Sequence, residues 1–465
     1  MAEPIPNCHV VAMPYPGRGH INPMLNLCRL IHHYRPDILI SFVVTEEWLG
    51  FLAPGSTPPS PNFSYRTIPN VIPSEIGRAK DFPGFFEATL TKMEAPVEQL
   101  LDRLQPSVII YDTYLSWVVE LGNRRNIPVA SFYTMSATVF SIFHHFDHIL
   151  QNHHLCSNFS GKRPSHSNGS AIEQLVNYIP GVPPIKFTDL PTPFHSKGHE
   201  VLPRALEAIK LTQKAQYLLF TSVYELESQV LESLRQKLHL IKIYSLGLAI
   251  PYNFNITHQN SKPDYIMKWL DAQPPCSVLY ISQGSFLFVS NAQLDEIIAG
   301  VRASGVRFLW VSRGEADNRL QENGGSSSNN SGLVVPWCDQ LKVLCHPSVG
   351  GFWSHCGWNL TKESAFSGLP MLTFPIFWDQ VTNSKVIVED WKIGLRVKKE
   401  DEGLVTRDEV ARLVLRIMDS ESEDGKERRR RAKEIREVCE VASAGGGSSK
   451  IDILAFIRDM FFMYV

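Results

Sequence analysis

The chain has no closely spaced cysteine pair. Its eight Cys, at 8, 28, 156, 276, 338, 345, 356 and 439, are scattered, with no CxxC and no zinc spacing. That excludes a zinc ribbon and fits free thiols in a reducing compartment. No Asp-x-Asp occurs, so no metal–diphosphate clamp is read from the sequence and no metal is expected. No apolar run approaches the roughly 20 residues that cross a bilayer. The tail IDILAFIRDMFFMYV is interrupted by Arg458 and Asp459 and reads as a packing helix. The opening MAEPIPNCHVVAMPYP lacks a basic segment followed by an apolar one, so a cytoplasmic location is expected. The sequons at Asn62, Asn158, Asn168, Asn255 and Asn329 are then chance matches. Charge of one sign is missing too: 45 Lys and Arg face 47 Asp and Glu, a net charge of −2. Nucleic acid and anionic membrane surfaces are therefore not expected partners. The run Arg428–Arg431 sits in a highly charged stretch and reads as a solvated helix face.

What is present is an ordinary globular composition, 44% apolar and 20% charged, in 465 residues. That length favours two domains. In the first half, CHVVAMP, ILISFVVT, SVIIYD and PVASFYT are short β-rich runs with helical stretches between them. In the second half SVLYIS, VRFLWVS, GLVVP, SVGGFW and LPMLTFP repeat the pattern. Such alternation predicts an α/β protein built from two doubly wound parallel sheets. The segment 157–170 reads as a polar loop, and 314–332 as low complexity. The expected division is a first domain over 1–246, a Pro- and Asn-rich linker over 247–263, a second domain over 264–444 and a final helix over 445–465.

The most informative stretch runs from Trp337 to Gln380, WCDQLKVLCHPSVGGFWSHCGWNLTKESAFSGLPMLTFPIFWDQ. Ser348–Ser354 reads as a buried strand that turns, at His355-Cys356-Gly357-Trp358-Asn359, into a helix running through Glu363. A strand, a glycine turn and a helix N-terminus favour an anion, because free N–H groups and the helix dipole point at it. Asp379 beside Gln380 suits a polyhydroxylated ligand. Together these features suggest a sugar nucleotide.

This stretch resembles, without a gap, the 44-residue signature of the plant UDP-glycosyltransferases of family 1. The resemblance implies the GT-B fold, two facing Rossmann-like domains with the last helix crossing back to the first. It assigns Trp337 to stacking on uracil, Cys338 to a backbone contact with it, and Gln340 to the ribose and base edge. It assigns Glu363 to the ribose hydroxyls, His355 and Asn359 to the diphosphate, Trp358 to the sugar, and Asp379 and Gln380 to the sugar hydroxyls. The amide of Gln380 would donate to one hydroxyl and accept from another. Core packing is the other reading of Trp337 and Trp358. Ser285, after the strand SVLYIS, resembles a diphosphate-contacting turn, and a plain turn is its alternative. Leu360 stands where the family usually has a phosphate-binding Ser, Asp339 replaces a usual Pro, and Arg18 replaces a usual Gln or Ser. Arg18 reaching the diphosphate would offset Leu360.

In the first domain, Gly17-Arg18-Gly19-His20-Ile21-Asn22-Pro23 follows strand one. A His at a helix start is commonly structural. The resemblance makes His20 the general base, with Asp112, at the end of SVIIYD, as its partner. Asp112 as a cap for a helix near Tyr114 is the alternative. Thr134 matches a donor-sugar contact or caps a helix. Phe82, Phe85, Phe86, Trp117, Phe140 and Phe143 are acceptor lining or core.

The reading is inverting transfer of a sugar from a UDP-sugar to a small lipophilic plant metabolite. Gln380 points to UDP-glucose as donor; a monomer is expected, with neither metal nor cofactor. Two alternatives remain at this level. A nicotinamide oxidoreductase would use Gly17 and Gly19, but the third glycine is missing and the acidic pair Glu46-Glu47 lies too far on. A non-catalytic sugar-nucleotide binder is the other, against which His20 and Asp112 argue.

Overall fold

A computed structural model of the chain describes residues 8–52, 60–78, 80–152, 174–250, 265–282, 289–312, 332–397 and 404–462. Its contacts divide it into two compact units, Met1–Pro251 with Val441–Val465, and Tyr252–Glu440. Of the expected linker, 247–250 are described and the remainder lies outside the described residues, as does Ser285.

The first unit is built on β1 (His9–Met13), β2 (Leu39–Thr45), β3 (Phe63–Ile68), β4 (Val108–Asp112), β5 (Val129–Tyr133), β8 (Tyr217–Phe220) and β9 (Lys242–Ser245), with a small ribbon of β6 (Leu175–Val176) and β7 (Ile185–Lys186) outside the sheet. The strand order is β3-β2-β1-β4-β5-β8-β9 and the pairings are parallel. Strands β1, β4 and β5 are buried along their whole length, which is why they read as unbroken apolar runs. The order reverses between β1 and β4, where an open α/β sheet leaves its crevice. His20 follows the first of these strands and Asp112 ends the second.

The final helix, Ser448–Phe462, belongs to this unit. Ile453, Phe456, Ile457 and Met460 are buried in the same core as Val10, Phe42 and Tyr217. Asp459 accepts from Lys242 at 2.7 Å and from the Tyr244 hydroxyl at 2.5 Å, and Asp452 accepts from the Ser245 N–H at 2.7 Å.

The second unit holds β10 (Val278–Ser282), β11 (Arg307–Val311), β12 (Gly332–Val335), β13 (Val349–Ser354), β14 (Met371–Thr373) and β15 (Gly394–Arg396), in the parallel order β12-β11-β10-β13-β14-β15. Its switch point lies between β10 and β13. The turn 355–357 and the helix Trp358–Ser367 follow β13, so the anion-favouring helix start sits at that crevice. Each unit is thus Rossmann-like. Among the described residues, no helix is long and apolar enough to cross a membrane.

Candidate active site

The helix Arg18–Tyr34 starts at Gly17, whose extended backbone lets the chain turn sharply out of β1. Gly17 also faces the Arg78 guanidinium: an added Cβ would stand 2.1 Å from its Nη1, so a side chain here would displace that guanidinium. His20 sits in the first turn. Its Nδ1 lies 2.7 Å from Asp112 Oδ2 and 3.0 Å from Thr134 Oγ1. A carboxylate only accepts, so Nδ1 carries the proton and donates it to Asp112. Nε2 then keeps its lone pair, the tautomer a base requires. Asp112 is almost fully buried, and its other oxygen accepts from the Tyr114 N–H at 3.1 Å. It therefore fastens the turn as well as the imidazole. The cap alternatives are corrected: the next helix starts at Trp117 after Ser116, and the helix Ala137–His144 is capped by Ser136 rather than Thr134.

Several side chains around His20 were not apparent from sequence. Tyr15 lies 5.0 Å from it ring to ring and Tyr114 6.3 Å. Glu75, pushed up to about 7 by burial, pairs with Arg78 at 3.3 Å. The Glu47 carboxylate accepts from the Ser74 hydroxyl and the Glu75 N–H, and so holds this turn in place. A charged pair on a loop carries no periodic signal; the one hint was the glycine it packs against. Arg18 lies over the Trp48 ring at 5.9 Å.

The expected acceptor aromatics divide. The Phe86 ring lies 5.9 Å from Tyr15, tilted, and 5.8 Å from Tyr114, edge-on, and half-buried Phe82 lies 5.9 Å from Phe86. This cluster adjoins His20. Trp117 donates from its indole to the Thr89 carbonyl at 3.2 Å and lines a cavity with Met13, Pro16, Ile21 and Trp48. Phe140 and Phe143 are enclosed, the first by Tyr133 and Phe220 and the second against Phe194.

In the second unit, Trp337 is 62% exposed, unusual for so large a ring, whereas Trp358 is buried with its ring 6.4 Å from Trp391. Asp339 accepts from the Lys342 N–H and starts the helix Gln340–Leu344, a cap that Pro cannot provide. Gln340 donates to Glu363 and accepts from the Tyr280 hydroxyl at 3.0 Å. Tyr280 also contacts the sulfur of buried Cys338 at 3.3 Å. His355 is buried; its Nδ1 has no hydrogen-bond partner among the described residues, and its ring lies against Gly357. Burial pulls this imidazole down to about 4, so it is neutral at pH 7. Asn359 and Leu360 occupy the first turn of the helix after Trp358, at its anion-favouring end.

Two non-glycine residues adopt left-handed backbone next to these groups, Cys356 at φ 67° and Trp378 at φ 60°. Such strain persists only where surroundings enforce it. Asn383 ties the two places together, donating to the Cys356 carbonyl at 2.9 Å and to Asp379 at 2.7 Å. Gln380 accepts from the N–H groups of Ile376 at 2.8 Å and Phe377 at 3.0 Å. Both neighbours donate, so its oxygen faces them and only its NH2 remains for a ligand. The expected double use of this amide is corrected accordingly.

A family model described as UDP-glucoronosyl and UDP-glucosyl transferase matches residues 188–422. UDP-glycosyltransferase 87A2 of Arabidopsis thaliana is 50% identical over 97% of this chain and 96% of its own. 7-Deoxyloganetin glucosyltransferase of Catharanthus roseus is 32% identical over 97% and 96%. Among solved structures, that of Phytolacca americana UGT2 complexed with UDP-2fluoro-glucose and pterostilbene is similar at a TM-score of 0.78. It is 25% identical, with 97% of this chain and 99% of that one covered.

Proposed function

The chain belongs to the plant UDP-glycosyltransferases of family 1, and on that premise we propose that it transfers glucose from UDP-glucose to a hydroxyl of a small lipophilic metabolite, with inversion. Family membership sets aside the nicotinamide and non-catalytic alternatives. His20 Nε2 takes the proton of the acceptor hydroxyl. The acceptor oxygen forms a bond to the anomeric carbon as the bond to UDP breaks, and UDP leaves with that electron pair. Asp112 holds the imidazole in its tautomer and stabilises the imidazolium. The single observation that supports this most is the 2.7 Å contact between His20 Nδ1 and Asp112.

On the donor side, Trp337 stacks on the uracil, Cys338 and Gln340 contact its edge, and Glu363 accepts from the ribose. The helix start at Asn359 and Leu360, with His355 and Ser285, takes the diphosphate, and Trp358 contacts the sugar. Asp379 and Gln380 hold the sugar. Phe82 and Phe86 face the acceptor. Thr134, 3.0 Å from His20 Nδ1, helps hold the imidazole and contacts the donor sugar. The reading includes a cytoplasmic monomer and, with no Asp-x-Asp in the chain, needs no metal; sizing by light scattering tests the monomer and turnover in chelator the metal.

His20→Ala should lower turnover by roughly 10²–10⁴-fold while UDP binding persists. Asp112→Asn should cost less. Assays of UDP release against a panel of phenols and terpenoid alcohols, with the anomeric configuration of the product read by NMR, decide the matter. Near-normal turnover of His20→Ala, or retention of configuration, would sink the mechanism.

A further inference from the structure

Side chains on β10 alternate between the two faces of its sheet. Leu279 and Ile281 join the core of the second unit. Tyr280, between them, turns to the other face, where its ring stacks on Phe352 of β13 at 5.2 Å. It is 1% exposed. A buried tyrosine must find partners for its hydroxyl, and a phenylalanine would fill the same space without that demand. The hydroxyl of Tyr280 has two: Gln340 Oε1 at 3.0 Å and Cys338 Sγ at 3.3 Å.

Proton bookkeeping orders these contacts. The amide oxygen of Gln340 can only accept, so the phenolic proton goes to it. The Tyr280 oxygen is then the acceptor toward Cys338, and the thiol proton points at it. Burial raises the phenol well above its ordinary value, so it keeps its proton throughout the neutral range. With its oxygen turned to Tyr280, Gln340 has its NH2 group turned to Glu363, to which it donates. Donation therefore runs one way, from Cys338 through Tyr280 and Gln340 to the Glu363 carboxylate, between residues 58, 60 and 23 positions apart. Hydrogen bonds in such a chain polarise and strengthen one another. Burial pushes the Glu363 carboxyl up to about 7, and the Gln340 hydrogen bond is the foremost influence opposing that.

We propose that Tyr280 is a positioning residue for the donor: its hydroxyl fixes the orientation of the Gln340 amide, and through it holds one oxygen of Glu363 so that the other meets a ribose hydroxyl. Tyr280 acts only through these two side chains. The inference rests on the donor reading given above.

Y280F removes the hydroxyl and keeps the ring on Phe352. Calorimetry at about pH 8, where Glu363 is largely ionised, compares UDP with 2′,3′-dideoxyuridine diphosphate in wild type, Y280F, E363Q and the double variant. Wild type should favour UDP. Y280F should reduce that preference about three- to tenfold, the worth of one hydrogen bond, with affinity for the dideoxy compound nearly unchanged. In the E363Q background the same change should add little, because the hydroxyl acts through that carboxylate. A Y280F protein that keeps the wild-type preference overturns the proposal while leaving the donor reading intact. So does one that loses affinity for both compounds by the same factor, as loosened packing would cause, and so does a full further loss in the E363Q background. A wild type that binds both compounds alike removes Glu363 from the ribose, and one that binds no UDP overturns the donor reading itself.

Discussion

At the scale of single residues, proton bookkeeping decides what each group can do. One ring nitrogen of His20 is committed to Asp112 and Thr134, which leaves the other free to act as base. Gln380 is similarly divided, with its oxygen occupied by two backbone N–H groups. Gln380→Glu keeps an acceptor for Ile376 and Phe377, so the loop should survive. It removes the NH2 group that would donate to the sugar. We expect kcat/KM for UDP-glucose to fall about tenfold, the worth of one hydrogen bond to an uncharged ligand, with UDP affinity and melting temperature nearly unchanged. An unaltered kcat/KM would take Gln380 out of sugar recognition. His20 and Asp112 were legible because each follows a strand at a recognisable motif. Glu75, Arg78 and Lys362 were not, since nothing in their sequence neighbourhood announces a charge that folding will bury.

At the scale of elements, the helix Ala137–His144 shows how a distant residue completes a local structure. Its first N–H groups, on Ala137 and Thr138, donate to Glu227 at 3.1 and 2.8 Å, as does the Thr138 hydroxyl at 2.7 Å. The Ser222 hydroxyl donates to it as well. Glu227 itself leaves helical geometry, with φ −133°, to reach them. Negative charge at a helix N-terminus is favourable, and four donors lose their acceptor without it. Glu227→Ala should therefore cost on the order of 3 kcal/mol of stability, and Glu227→Gln less, measured by denaturant unfolding. A loss under about 0.5 kcal/mol for Glu227→Ala would mean that water replaces the carboxylate. The central strands were readable as apolar runs, whereas β3, β8, β9 and β15 were not identified. The first is buried only at its two ends (FSYRTI), with no clean alternation, and the others have only three or four residues, too few to show a period.

At the scale of the whole molecule, the chain returns to its first unit to finish it. Ile453, Phe456, Ile457 and Met460 fill a core otherwise made from residues 8–246, and Asp452 and Asp459 accept from β9 and its neighbours. Ending the chain after Gly447 should expose that core. Each buried apolar side chain is worth about 1.5–3 kcal/mol, so a loss of several kcal/mol is expected in the first unit. The second unit, whose core is separate, should keep its UDP-induced protection. Proteolysis followed by mass spectrometry, with and without UDP, separates the two; equal destabilisation of both units would contradict this division.

The sequence by itself determined the α/β class, two doubly wound sheets, the family and the positions from which the site is drawn. Strand burial and strand-to-helix turns are written in local patterns, and the 44-residue signature is contiguous. Only the tertiary structure decided which nitrogen of His20 is the base, which atom of Gln380 is left for a sugar, that Asp339 caps a helix, and that Ser136 rather than Thr134 caps another. It also revealed that Lys362 is buried beside Glu363. The His20 pairing spans 92 residues, the caps and the Gln380 bonds turn on which way a loop folds back on its own backbone, and the burial of Lys362 on removal from water; none of these is encoded in a local pattern of residue types.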